Sequence, residues 1–185
     1  MFDITHEDFQ WVATGEWLTE ETWNKYAREQ PGGAVNHHYV KEDWIETALK
    51  WPRMMVATDA LPAVDLRVKT NPNVAGTFSR VLGHYVRDTG LLTLSDGLAR
   101  MSLYQAQWLS QSSSSFDKKG RIQLGADADI VIFDPIKVQA NAAYGDPYQP
   151  PSGIPYVVVA GQIVVKNSVV VAGVYPGKRI LGDTK

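Results

Sequence analysis

The chain has 185 residues, 44% of them apolar, and carries 18 basic against 20 acidic side chains with no run of either sign. That length is enough to bury about two-thirds of the surface of the unfolded chain, and the scattered charge excludes the basic footprint of a nucleic-acid-binding protein. The absence of cysteine excludes disulfides, thiol nucleophiles and thiolate zinc sites. The start, Met1-Phe2-Asp3-Ile4-Thr5-His6-Glu7-Asp8, has neither the basic opening nor the apolar core of a signal peptide. No stretch approaches the ~20 apolar residues of a membrane span, so the expectation is a cytoplasmic chain that crosses no membrane.

The first patterned segment is Thr19-Glu20-Glu21-Thr22-Trp23-Asn24-Lys25-Tyr26, where Thr19 can cap a helix whose early glutamates suit its positive end. Pro31-Gly32-Gly33 stops it. Residues 34–40 read as a short strand, and Trp44, Ile45, Ala48 and Leu49 as a helix that ends before Pro52. Met54-Met55-Val56-Ala57 is a continuous apolar run, as in a parallel strand covered on both faces, and it opens into Thr58-Asp59. A βαβ unit over residues 34–59 is the simplest arrangement.

Phe78, Val81, Leu82, Tyr85 and Val86 recur at helical spacing up to Gly90, and Thr93 with Asp96 forms a capping pattern ahead of a further helix reaching Leu109. Residues 111–119 are a polar, serine-rich break that reads as a linker between a domain of residues 1–110 and another of residues 120–185. Beyond it the period becomes that of strands, expected at 121–124, 129–133, 156–159, 163–165 and 169–171. Ala160-Gly161-Gln162 and Lys166-Asn167-Ser168 suit hairpin turns, because Gly and Asn tolerate positive φ.

Three stretches carry a resemblance: residues 54–62, residues 76–87, and residues 119–135 with their Gly-x-Ile-x-x-Gly-x-x-Ala-Asp pattern running into an apolar strand. In this order and spacing they resemble the amidohydrolase superfamily, and within it the D-aminoacylase branch of N-acyl-D-amino-acid deacylases. The resemblance implies the last two β/α units of a TIM-like (β/α)₈ barrel, with residues 54–58 as its eighth strand and residues 34–39 as its seventh, followed by a small β-sandwich. It also implies a hydrolase that uses one or two zinc ions to cleave the C–N bond of a small N-acyl amino acid or related amide.

Most of the family's metal ligands, the His-x-His of the first strand among them, do not occur in this sequence. The aspartate at the end of the eighth strand does, as Asp59, and the resemblance makes it both a metal ligand and a catalytic group. A barrel gathers its catalytic groups at the carboxyl ends of its strands, and a carboxylate beside the attacking water can take its proton and pass it to the departing amine. Read without the resemblance, Asp59 is better taken as a cap for the following turn than as a catalytic group.

His37 and His38 are neighbours on a strand, so at most one can face a barrel interior, and His38 is taken as a substrate-lining residue rather than a metal ligand. His84 reads as a packing or surface histidine, and Asp127 and Asp129 as residues that fix a turn. Two departures from the branch stand out. Thr58-Asp59-Ala60 replaces Ser-Asp-Gly, and Asn71-Pro72-Asn73 replaces His-Pro-Arg, so Asn73 cannot supply the charge that clamps a substrate carboxylate. Arg67 and Lys69 on the same loop are the candidates to do so in its place.

A (β/α)₈ barrel takes about 250 residues, far more than precede the β segment. The expected partner is therefore a missing amino-terminal portion of the barrel, with homo-oligomers a further possibility. The alternative is a non-catalytic piece that docks on that missing half.

Overall fold

The computed structural model describes residues 4–60, 66–67 and 69–183. Residues Phe9–Trp11 (β1) pair antiparallel with Val35–His37 (β2), Phe9 opposite His37 and Trp11 opposite Val35. Between them lies the helix Glu20–Glu29 (α1), whose start is fixed as the sequence suggests: Thr19 Oγ1 accepts from the Thr22 N–H at 3.2 Å, and Thr22 Oγ1 accepts from the Thr19 N–H at 2.8 Å. The β1 partner is only three residues long, so the alternation of Phe9, Gln10 and Trp11 is too short to stand out in the sequence. β2 thus pairs antiparallel with β1, and the parallel βαβ pairing expected over 34–59 is not formed among the described residues.

The helix Glu42–Lys50 (α2) follows, then an extended run through residues 54–58 that joins no sheet among the described residues. This corrects the expectation of a paired strand there. An apolar run specifies burial on both faces, but a ladder also needs neighbouring strands. Residues 61–65 and 68 lie outside the described residues.

The helix Asn73–Arg80 (α3) continues without a break into a wider π turn over Val81–Asp88, which closes with the Thr89 N–H donating five residues back to the His84 carbonyl at 2.9 Å. Gly83 is where this turn meets the chain at Val138, and a Cβ there would lie 2.8 Å from the Val138 carbonyl oxygen, so only glycine fits. The next helix repeats the device. Leu94–Leu98 (α4), capped by Thr93 as expected, passes through a π turn at Ala99–Leu103 into Tyr104–Leu109 (α5).

Leu49, Val81, Tyr85 and Leu92 form the core between α2 and these helices, with Ile45, Val56, Val86, Leu91 and Met101 packed on it. Burying each such side chain contributes about 1.5–3 kcal/mol, and Val56 anchors the extended run to the helical layer.

Residues 114–118 of the serine-rich segment form a 3₁₀ turn held by the chain's end: the Ser113 hydroxyl donates to the Leu181 carbonyl at 2.8 Å and the Ser114 N–H to the Asp183 carboxylate at 2.9 Å. Ile130–Ile132 (β3), Tyr156–Val159 (β4), Gln162–Lys166 (β5) and Val169–Val170 (β6) make one antiparallel sheet in that order. Both hairpin turns have positive φ at two successive residues, Ala160 at 49° with Gly161 at 78° and Asn167 at 53° with Ser168 at 64°, the conformation that matches strand twist. The strand expected at 121–124 does not form. Ile122 and Leu124 are 90% and 100% exposed, and no neighbour among the described residues offers them an apolar face.

Candidate functional site at the end of the extended run

The extended run is held by Arg100 and Gln105 of the helical layer in place of a neighbouring strand. The Val56 N–H donates to the Arg100 carbonyl at 2.9 Å, the Arg100 guanidinium donates to the carbonyls of Trp51 at 3.0 Å and Met54 at 3.1 Å, and the Gln105 amide donates to the Val56 carbonyl at 2.8 Å. Arg100 is buried between α4 and α5. Satisfying these carbonyls keeps the run straight where bare backbone groups would each cost about 1–3 kcal/mol.

At the end of the run stands Asp59, with φ 48° and an exposed side chain. The left-handed conformation is uncommon outside glycine and is tolerated best by Asn and Asp. It is Thr58 that serves the local turn, its Oγ1 accepting from the Ala60 N–H at 3.4 Å. The Asp59 carboxylate therefore faces solvent at the point where the chain leaves the layer.

The other candidates are placed as follows. Arg67 is exposed in a turn and Lys69 is half-buried. Asn73 is exposed and opens α3, its backbone N–H donating to Asn71 Oδ1 at 3.1 Å. No hydrogen bond or ion pair joins Asp59 to His38, Lys69 or Asn73, and among the described residues no three His, Asp or Glu side chains come together as a metal site. At the end of this run the chain thus brings one carboxylate, whose chemistry suits a zinc ligand, and the described residues gather no ligand set around it.

His37 and His38 face opposite ways, as strand geometry requires. The His37 ring stacks on Phe9 at 4.3 Å, and the His38 ring lies 4.5 Å from Trp17 and 4.4 Å from Tyr144, edge-on to the latter. Nε2 of each is buried without a hydrogen-bond partner. Burial, and secondarily the neighbouring His37, holds the His38 imidazole below the usual histidine range, which favours its neutral form.

His84 lies against Tyr85 and 3.6 Å from the Glu42 carboxylate. Asp127 and Asp129 both pair with Lys119, and Asp129 also accepts the Ala160 N–H at 2.8 Å.

Sequence reasoning missed Arg100, Trp17 and Tyr144. Arg100 had no clear signal, because an arginine in an amphipathic helix ordinarily reads as a solvent-facing residue. Tyr144 had none, because it sits in an unpatterned loop.

Two grooves are lined by other residues. One lies between Trp44, Thr47, Ala48, Trp51 and Met54. The other runs beside Arg53, Met55, Tyr104 and Trp108. No helix of the described residues is long and apolar enough to cross a membrane.

An amidohydrolase family model matches residues 7–165. A D-aminoacylase of Alcaligenes xylosoxydans xylosoxydans is 33% identical over 132 residues, which cover 71% of this chain and 25% of that protein. Among solved structures, N-acyl-D-glutamate deacylase from Bordetella bronchiseptica, in complex with zinc and a phosphonate mimic of the tetrahedral intermediate, superposes with a TM-score of 0.73 and 32% identity, covering 86% of this chain and 35% of that one. A D-aminoacylase described by its binuclear metal centre superposes with a TM-score of 0.69 and 30% identity, covering 81% and 30% respectively. The chain spans about a quarter to a third of the length of these relatives.

Proposed function

Because the chain belongs to the amidohydrolase family, we propose that it is the carboxyl-terminal portion of a zinc-dependent hydrolase that cleaves the amide bond of N-acyl amino acids. The observation that carries this reading is Asp59: an exposed carboxylate in left-handed backbone, at the end of an apolar run pinned by Arg100, in a chain similar to D-aminoacylases. In this reading residues 1–110 supply the last two β/α units of the barrel, residues 111–119 the link and residues 120–185 a β-sandwich portion.

Zinc, held by Asp59 together with ligands from the rest of the barrel, would supply Lewis-acid polarisation of the amide carbonyl. Asp59 accepts the proton of the attacking water and delivers it to the amine as the C–N bond breaks. A carboxylate suits both transfers, because each of its oxygens can accept a hydrogen bond from the water and, once protonated, donate one to the amine nitrogen. Arg67 or Lys69 binds the substrate carboxylate in place of the arginine that Asn73 replaces, and His38, held neutral, lines the substrate.

A second reading, that this portion acts only by docking on the barrel half it lacks, is favoured by the single ligand and by the open groove of Trp44 and Trp51. The test is to express the whole upstream reading frame with this chain and assay release of free amino acid from N-acyl-D-amino acids, with zinc measured in parallel. Release of amino acid with bound zinc is the expected result. A frame lacking a His-x-His strand, or a zinc-free and inactive product, sinks the hydrolase reading and leaves docking.

A further inference from the structure

Residues 134–146 leave β3 and run along the helical layer before the chain returns to β4. Their base is closed by Gln139 and Ser152, which exchange backbone hydrogen bonds at 3.2 and 3.1 Å. Arg87 of the π turn donates to the carbonyls of Ile136, at 3.3 Å, and Val138, and Val138 is fully buried. Further along, the methyls of Ala140 and Ala142 pass beside Gly76 of α3, where an added Cβ would meet them in ordinary van der Waals contact at 3.7 and 3.5 Å. The Ala143 and Asp146 backbones then close a tight turn at 3.1 and 3.0 Å. This turn presents Tyr144 to the ring of His38 at 4.4 Å and 62°, while Gly145 packs against Gly15.

We propose that this strap is part of the substrate rim, with Tyr144 a positioning residue that fixes the orientation of the His38 ring. The inference rests on the reading of His38 as a substrate-lining residue. Nε2 of His38 has no hydrogen-bond partner, so no polar contact at that atom sets the ring's rotation. Orientation falls to the two flanking rings. Trp17 comes from the segment that turns back on β1, bridging to Gln10, and is 53% exposed. Tyr144 comes from a distant part of the chain and is fastened through Arg87 and Gly83. A segment that follows the first strand of the carboxyl-terminal sheet thereby reaches the end of β2, where His38 stands.

The test has two arms. In the 185-residue chain, carbethoxylation of each histidine is followed by peptide mass spectrometry. Tyr144→Leu should raise the His38 rate by about threefold or more, Tyr144→Phe should leave it near wild type, and His84 should not respond in either variant. In the complete hydrolase, Tyr144→Leu should raise KM by about tenfold with kcat little changed, and Tyr144→Phe should restore KM, since the ring and not the hydroxyl makes the contact. An unchanged His38 rate, or equal rises at His38 and His84, overturns the inference. So does a loss confined to kcat. A complete protein that cleaves no N-acyl amino acid while His38 responds as described removes the hydrolase reading and leaves the Tyr144 contact standing.

Discussion

The guanidinium of Arg100 reaches from the turn between α4 and α5 to the carbonyl oxygen of Met54 at 3.1 Å, so a helix side chain supplies what a neighbouring strand gives an ordinary β-strand. Arg100 is only 7% exposed and also bonds the Trp51 carbonyl. Arg100→Met should therefore leave two carbonyls unpaired at a buried site and cost about 2–3 kcal/mol. Urea unfolding of the chain measures this. Arg100→Lys, which can restore one of the two bonds, should recover part of the loss.

Asp59→Asn in the complete hydrolase should lower kcat by about 10²- to 10⁴-fold, because asparagine keeps the shape but takes no proton at neutral pH. Asparagine also accepts the φ of 48° found there, so thermal stability should hold. Asp59→Ala should remove activity and in addition cost about 1 kcal/mol for the left-handed backbone. Parallel measurement of kcat, metal content and Tm separates the two effects. Activity of the asparagine variant within about threefold of wild type would refute the proton-transfer role.

The Lys119 cluster sets a pH window for the sheet. The Ala160 N–H, followed by Lys119, holds the Asp129 carboxyl below its ordinary range, and Asp129, then Asp127, raises Lys119 above its own. A depressed carboxylate stabilises above its unfolded pKa of about 3.9 and loses that contribution as pH falls through the folded value. A raised lysine stabilises below about 10.4 and loses its contribution as pH climbs past the folded value. Stability of the β3–β4 pair should be flat between these limits and fall at both ends. Asp129→Asn should flatten the acid limb and cost about 1 kcal/mol at neutral pH, since the cluster is partly solvated. Hydrogen exchange of the Val158 and Ala160 amides across this range reads it out.

The chain by itself should hold zinc no more tightly than micromolar and hydrolyse no amide, because a catalytic zinc site typically takes three protein ligands and the described residues gather none. It should also self-associate. Ile122, Leu124, Val169 and Val170 are widely exposed and β3 and β6 end the sheet with open edges, which recruit other chains. Sedimentation that shows a monomer at high concentration would contradict this, and elemental analysis after dialysis checks the metal.

Local chemistry made several features of this protein readable from the sequence. The Thr19 and Thr93 caps, the apolar stripe through Val81 and Tyr85, and the two positive-φ turns depend on residues a few positions apart, and each forms as its spacing requires. The family, too, was legible in residues 54–62, 76–87 and 119–135. What only the tertiary structure decided are relationships between distant residues: β1 against β2, Arg100 on the run before Asp59, and Tyr144 on His38. An apolar run such as Met54–Ala57 encodes that it will be covered, and burial carries no direction, so its coverer, a helix and its arginine where a strand was expected, is chosen by the packing of the whole chain.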